Sequence, residues 1–360
     1  MKASSLYPAQ RGFTLVEIMV SMTILVILML MLVSLTGAVQ RTWSYTTTKI
    51  EQFRNAREGF ETITRKLSQA TLNTYWDYLD ANGIGQTAAN ASTFVPAKYG
   101  RQSELRFISG NAQTLTGSAI APTHAIFFIA PLGYVKNTTS YQGLSNLLNT
   151  WGYFVEYADD SLLRPQFITP TMAPLRSRFR LMEMMGPSEE MPLYKYTSGN
   201  STYAAKEWFT DVLKSSPTPT RVVAENVLAL IILPKLAPAE DPTGSKLAST
   251  YSYDTTASNS DPTINPRNQL PPVVMVTMVA VDEPSFSNYL FKLKSGSPRA
   301  DLGLDNLFLT AGDLTDASKP GYAKDLSALQ GTLIAKKINF RVFSTDVSIK
   351  AAKWSRAQVN

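Results

Sequence analysis

The sequence predicts an α+β protein in which a long N-terminal helix, half membrane-spanning and half amphipathic, packs on a mainly antiparallel β-sheet head. Three observations carry that prediction. An uncharged apolar run extends from Ile18 to about Val39, no proline occurs between Pro8 and Pro96, and the rest is a series of short β-prone segments separated by turns. About 20 residues at about 1.5 Å rise cross a bilayer core, so the run is long enough to span one. The proline gap permits one continuous helix from residue 13 to about 74, about 90 Å long.

Taken in order, the chain begins with twelve residues carrying Lys2 and Arg11, ahead of Gly12-Phe13-Thr14-Leu15-Val16-Glu17. Glu17 is out of place. A carboxylate at the edge of an apolar span costs a few kcal/mol unless it finds a partner. A secretory signal peptide cut at Thr36-Gly37-Ala38 explains the segment poorly, because the apolar stretch exceeds the usual length and Glu17 interrupts its approach. A plain signal anchor leaves Glu17 without a role, and a buried core helix would find nothing else so apolar in the chain to pack around it.

Beyond the span, Phe53, Ala56, Phe60, Ile63, Leu67 and Ala70 fall at alternating spacings of three and four, which lays one apolar stripe along a helix. Gly37 and Thr46-Thr47-Thr48 are its weakest points. Residues 80–100 read as a loop. Candidate strands are 104–109, 124–130, 152–157, 176–183, 222–233, 273–281 and 338–350, and helical pieces fit 204–214, 284–293 and 323–329. The segment 238–272, rich in Ser, Thr, Asn, Asp and Pro, reads as a long mobile loop that buries little apolar surface. The expected organisation is therefore a leader (1–12), a transmembrane helix (13–39), its amphipathic continuation (40–75) and a head (76–360).

Composition narrows the function. With 17% charged and 44% apolar residues the 360-residue chain supports a folded core. The leader holds two of the 34 cationic residues, so the net charge of +6 falls to +4 without it. The positives are scattered, and no nucleic-acid partner is expected. Basic residues before the span keep the N-terminus in the cytoplasm and export the remainder. No cysteine is present, so the head carries no disulfide.

Catalytic signatures are scarce. One histidine and no cysteine rule out a multi-His or Cys zinc site and a Cys–His pair. His124 reads as the start of a strand. Gly83-Ile-Gly85-Gln-Thr-Ala88 follows a helix instead of a strand and reads as a loop. The acids Asp159-Asp160, Glu189-Glu190, Asp301, Asp305, Asp313 and Asp316 lack EF-hand spacing and read as solvated turns. No catalytic residue, cofactor or metal is placed.

Arg11-Gly12-Phe13-Thr14-Leu15-Val16-Glu17 resembles the processing site of type IV prepilins and type II secretion pseudopilins. The resemblance implies cleavage between Gly12 and Phe13 by prepilin peptidase, N-methylation of Phe13 by the same enzyme, and pairing of Glu17 with the terminal amine of a neighbouring subunit during assembly. It further implies other pilins or pseudopilins, an inner-membrane assembly platform and membrane lipid as partners, with the head in the periplasm. The Phe53-Arg54-Asn55-Ala56-Arg57 helix, the aromatic stretch from Trp151 to Tyr157 and the late pair of β-prone runs resemble J-type minor pseudopilins. The ending around Phe340-Arg341-Val342-Phe343 and Trp354 resembles the C member of the Verru_Chthon cassette. A membrane-anchored binding protein or adhesin, not built into a filament, is the alternative, and an anchored enzyme is disfavoured by the thin catalytic inventory.

Overall fold

The computed structural model describes residues 14–141, 143–161, 163–165, 167–191, 206–215, 218–293 and 296–356, with backbone alone at 44–45 and 47–52. Two compact units are distinguished, one ending at Glu51 and the other formed by Gln52–Asn360. The helix α1 (Leu15–Leu67) belongs to both and is unbroken through Gly37 and residues 46–48. It stops short of residue 74. The N–H groups of Gln69 and Ala70 turn back onto the carbonyls of Lys66 and Leu67, both at 3.0 Å, and the Thr71 N–H bonds the Ile129 carbonyl at 2.9 Å. Pairing with the sheet thus ends the helix where local sequence alone would let it continue.

In the Gln52–Asn360 unit the remaining elements are β1 (Tyr75–Leu79), β2 (Lys98–Gln102), β3 (Phe107–Asn111), α2 (Ala112–Thr116), β4 (His124–Pro131), β5 (Leu148–Ala158), β6 (Arg178–Gly186), α3 (Glu207–Lys214), β7 (Thr220–Glu225), β8 (Val227–Lys235), β9 (Tyr253–Asp254), β10 (Val273–Val281), α4 (Glu283–Leu293), α5 (Pro298–Asp301), α6 (Tyr322–Ala335) and β11 (Phe340–Ser348). The strands form a six-stranded sheet in the order β7-β6-β5-β4-β3-β9, a three-stranded sheet β11-β10-β8 and a ribbon β1-β2. Every strand pair described is antiparallel.

The six-stranded sheet is covered on both faces. Along β4, Ile126, Phe128 and Ala130 enter one core with β8, β10 and the α1 stripe, while Ala125, Phe127 and Ile129 enter a second core with α2 and with Trp208 and Phe209 of α3. Successive side chains of a strand point to opposite faces, so two covered faces require an unbroken apolar run. That is why residues 124–130 read so clearly as a strand. The α1 stripe behaves as its spacing predicts: Ala56, Phe60, Ile63, Leu67 and Ala70 are buried, and Phe60 lies 5.8 Å from the Phe343 ring.

Three further expectations need correction. The run 222–233 is two strands in different sheets. Between them Asn226 adopts φ +60°, a left-handed conformation that asparagine tolerates better than most residues. Its N–H bonds Phe179 O at 2.7 Å, its carbonyl accepts from Val281 N at 2.9 Å, and its side chain donates to Glu283 at 2.8 Å. An uninterrupted apolar pattern hides such a corner. The segment 238–272 is irregular as expected, yet it buries Leu247, Tyr251, Tyr253 and Leu270 and pairs with β3 through β9. Its few apolar residues are placed as plugs in an otherwise polar loop. The ribbon also claims positions expected to be loop, since β2 occupies residues 98–102.

Candidate assembly segment and the buried polar groups of the head

Gly12 and Phe13 lie outside the described residues. Immediately after them, Thr14 precedes the first helical residue and Glu17 sits three positions on. The Thr14 N–H and Oγ1 both donate to Glu17 Oε2 at 3.0 Å, and the Glu17 N–H donates to Thr14 Oγ1 at 3.3 Å. This reciprocal arrangement is a capping box, which satisfies backbone donors that a helix N-terminus leaves open. The signal for it in the sequence is the spacing Thr-x-x-Glu, which the charge of Glu17 alone does not disclose.

The rest of the segment is apolar and outward-facing. Leu15–Trp43 is long and apolar enough to cross a membrane, with a mean hydropathy of 2.8 over its most apolar window, and none of that window is buried within the chain. The hydroxyls of Ser21, Thr23 and Thr36 donate to the carbonyls of Glu17, Val20 and Leu32 at 2.6, 2.8 and 2.8 Å. Polar side chains that bond back to their own helix need no water, as a lipid environment demands. Glu17 is the one ionisable side chain from Thr14 to Gln40.

Within the Gln52–Asn360 unit, His124 is a structural bridge. Its Nδ1 accepts from the Ile232 N–H at 3.1 Å and its Nε2 lies 3.0 Å from Phe308 O, a pattern that fixes the neutral tautomer with the proton on Nε2. Thr123 Oγ1 likewise accepts from the Leu230 N–H at 3.1 Å. Two consecutive side chains thereby seal the otherwise unpaired edge of β8. Burial drives the imidazole pKa down from its ordinary 6.5 to about 4, against a smaller opposing effect from Phe308.

A second buried group has no signature in the sequence. Glu183 of β6 is fully buried and accepts from Trp151 Nε1 and Lys66 Nζ, each at 2.8 Å, from the Tyr153 hydroxyl, and from Arg221 at 2.6 Å. Lys66 also lies 4.1 Å from the centre of the Trp151 ring. Burial opposes the charge on Glu183, but the hydrogen bonds from Lys66 and Tyr153, the Lys66 charge and the Trp151 donor outweigh it and hold the carboxyl below its usual range. The cluster joins the last turn of α1 to β5, β6 and β7. A glutamate inside a strand gives no warning of it, because its partners come from three distant segments.

The remaining acids are engaged locally. Asp160 pairs with Arg164, Glu190 with Lys136, Asp301 with Lys336, Asp305 with Arg299, and Asp313 and Asp316 with Lys319. Asp159 accepts from Ser161, and Glu189 accepts the N–H groups of Lys136 and Asn137. Among the described residues no group of three or more His, Cys, Asp or Glu is arranged to hold a metal ion. Gly83 turns with φ +77° in the loop after β1, consistent with a turn residue.

Residues 7–33 match the family described as the prokaryotic N-terminal methylation motif, a stretch that contains Gly12, Phe13, Thr14 and Glu17. No curated protein and no solved structure matches the chain.

Proposed function

We propose that this chain, which its methylation motif indicates to be a precursor of pilin or pseudopilin type, is a minor structural subunit of a type IV pilus-like or type II secretion filament. Proteins with this motif are structural and not enzymatic, are processed by prepilin peptidase and associate with other pilins. In this reading the chain inserts with its N-terminus in the cytoplasm, is cut between Gly12 and Phe13, is methylated at Phe13 and presents its head to the periplasm. The apolar helix then supplies the assembly interface. J-type minor pseudopilins and the C member of the Verru_Chthon cassette are the subtypes its later segments resemble.

The observation that carries the proposal is the single ionisable side chain, Glu17, set in an outward-facing apolar helix directly after Gly12-Phe13. A cationic terminal amine from a neighbour is the partner that makes that carboxylate tolerable in lipid. Intact mass and N-terminal sequence of the protein recovered from native membranes test the processing. An N-terminus at Phe13 bearing one extra methyl supports it, whereas an N-terminus at Val39 or an intact Met1 removes it.

The assembly role has its own test. Glu17→Ala should leave cleavage largely intact and impair incorporation into filaments or methylation. Glu17→Gln keeps a side chain able to complete the capping box while removing the charge. Equal failure of both variants assigns assembly to the charge, and normal incorporation of Glu17→Gln assigns it to the cap.

One observation favours the adhesin reading. Trp76, Tyr78 and Tyr99 form an exposed aromatic ladder on the β1-β2 ribbon, with ring centres 5.6 and 5.4 Å apart. Purification from native membranes without co-purifying pilins would shift the balance to it.

A further inference from the structure

We propose that the outer edge of β11 is a docking site for an extended segment of another polypeptide, which joins the three-stranded sheet as a fourth, antiparallel strand. An open strand edge is a template for pairing, and folded proteins usually blunt it. Of the four end strands in the two larger sheets, three are blunted here, each differently. β8 is sealed by Thr123 and His124. β9 is two residues long. β7 is interrupted by a register shift opposite Leu181 and Met182. From Phe340 to Ser348 β11 carries none of these devices: it pairs with β10 without a shift over nine residues and contains no proline, and its outer edge is closed only beyond the strand, where the Lys350 N–H donates to Ser68 O at 3.1 Å.

The register shows which groups are open. Asp282 donates to Asn339 O at one end of the β10-β11 ladder and Ile349 donates to Pro272 O at the other. Antiparallel bonding alternates along a strand, so odd-numbered positions of β11 bond β10 and even-numbered ones face outward. Val342, Ser344 and Asp346 therefore direct their N–H and C=O groups away from the sheet, and among the described residues no backbone hydrogen bond reaches them there. Only another extended backbone matches such a row at two-residue intervals.

The side chains set the chemistry of the occupant. On one face of β11, Phe343 and Val347 flank the exposed Thr345, with Phe60 of α1 beside Phe343, a mixed row that takes β-branched residues beside it. On the other face stand the half-buried Val342 and then Ser344 and Asp346, and the Asp346 side chain stays 54% exposed while paired with Lys235. The fitting strand alternates apolar and hydroxyl residues, with a cation opposite Asp346.

The full chain in mild detergent, read by amide hydrogen exchange, tests this. The free protein should show fast exchange at Val342, Ser344 and Asp346 and slow exchange at Phe343 and Thr345. The probe is the peptide Thr-Val-Lys-Val-Thr-Val-Thr, which places lysine opposite Asp346 in the antiparallel register. It should bind saturably and protect the even-numbered amides. Asp346→Pro deletes one outward N–H without touching a bond to β10, and should weaken peptide binding about tenfold or more. Asp346→Lys, which keeps the strand intact, should reverse the preference toward the same peptide with glutamate in place of lysine. No saturable binding, equal protection in Asp346→Pro, or protection that rises with protein concentration in the absence of peptide would each overturn the proposal, the last because it would make a second copy of the chain the occupant.

Discussion

At the scale of single residues, three positions carry consequences out of proportion to their size. His124 is neutral in the fold and titrates near 4, against about 6.5 once unfolded. The unfolded chain therefore takes up a proton first as pH falls. Its stabilisation is complete above about pH 6.5 and is lost progressively down to about pH 4, an effect of about 3 kcal/mol. His124→Gln should be less stable than the parent at pH 7, and the two unfolding curves should converge toward pH 4. Parallel curves across that interval would remove His124 as the cause. Gly152 is the second position. A Cβ there would stand 2.2 Å from the Phe127 ring, which is itself stacked on Phe209 at 4.2 Å. Gly152→Ala should cost about 3 kcal/mol in urea unfolding, the upper part of the range for overpacked cores. Thr14 is the third. Its replacement by alanine removes the cap hydroxyl and should cost about 1 kcal/mol of helix stability, visible as faster amide exchange over the first turn of α1 and nowhere else.

At the scale of elements, the Glu183 cluster is the polar joint between α1 and the sheet. Removing one member of a buried ion pair leaves the other uncompensated, at a cost of about 3–5 kcal/mol. Glu183→Ala should therefore unfold at markedly lower urea concentration, Lys66→Met, which keeps packing against Trp151 but removes the cation, should be destabilised as well, and the two together should cost less than the sum of the single changes. A double-mutant cycle measures the coupling; an additive result would mean that Lys66 and Glu183 act separately. The same elements show what the sequence could and could not disclose. Strands covered on both faces, such as β4, β5 and β10, were legible because burial on two sides demands continuous apolar composition. The α1 stripe was legible because its spacing matches a helix. The corner at Asn226 was not, since the apolar run continues across it, and the end of α1 was not, since a hydrogen bond to Ile129 sets it. The polar joint was the least legible, because Lys66, Trp151, Glu183 and Arg221 meet only after the sheet has formed. At the N-terminus the reverse held: the methylation motif was legible from seven contiguous residues, while the bond from Thr14 needed the helix start to be seen.

At the scale of the whole molecule, the division at Glu51 and Gln52 separates two solvent problems. Up to Trp43 the helix exposes apolar side chains that water does not tolerate and the chain itself does not cover. From Phe53 onward the stripe is buried by the chain's own strands, and the opposite face carries the pairs Arg54–Glu58 at 3.0 Å and Arg57–Glu61 at 2.8 Å. Those exposed pairs contribute little stability but keep that face in water. The second unit thus holds Lys66 for Glu183 and Phe60 for Phe343 within itself. A fragment beginning at Gln52 should accordingly be soluble without detergent and unfold in one cooperative transition, whereas a fragment beginning at Ala70 should lose the near-ultraviolet signal of the packed aromatic core. If both fragments fold equally well, residues 53–67 are a dispensable covering of the sheet; if neither folds, the core depends on residues before Gln52 and the second unit is not autonomous. The intermediate outcome, in which only the longer fragment folds, would make the second half of α1 an integral layer of the head and the first half a separable element whose burial must come from lipid or from neighbouring subunits.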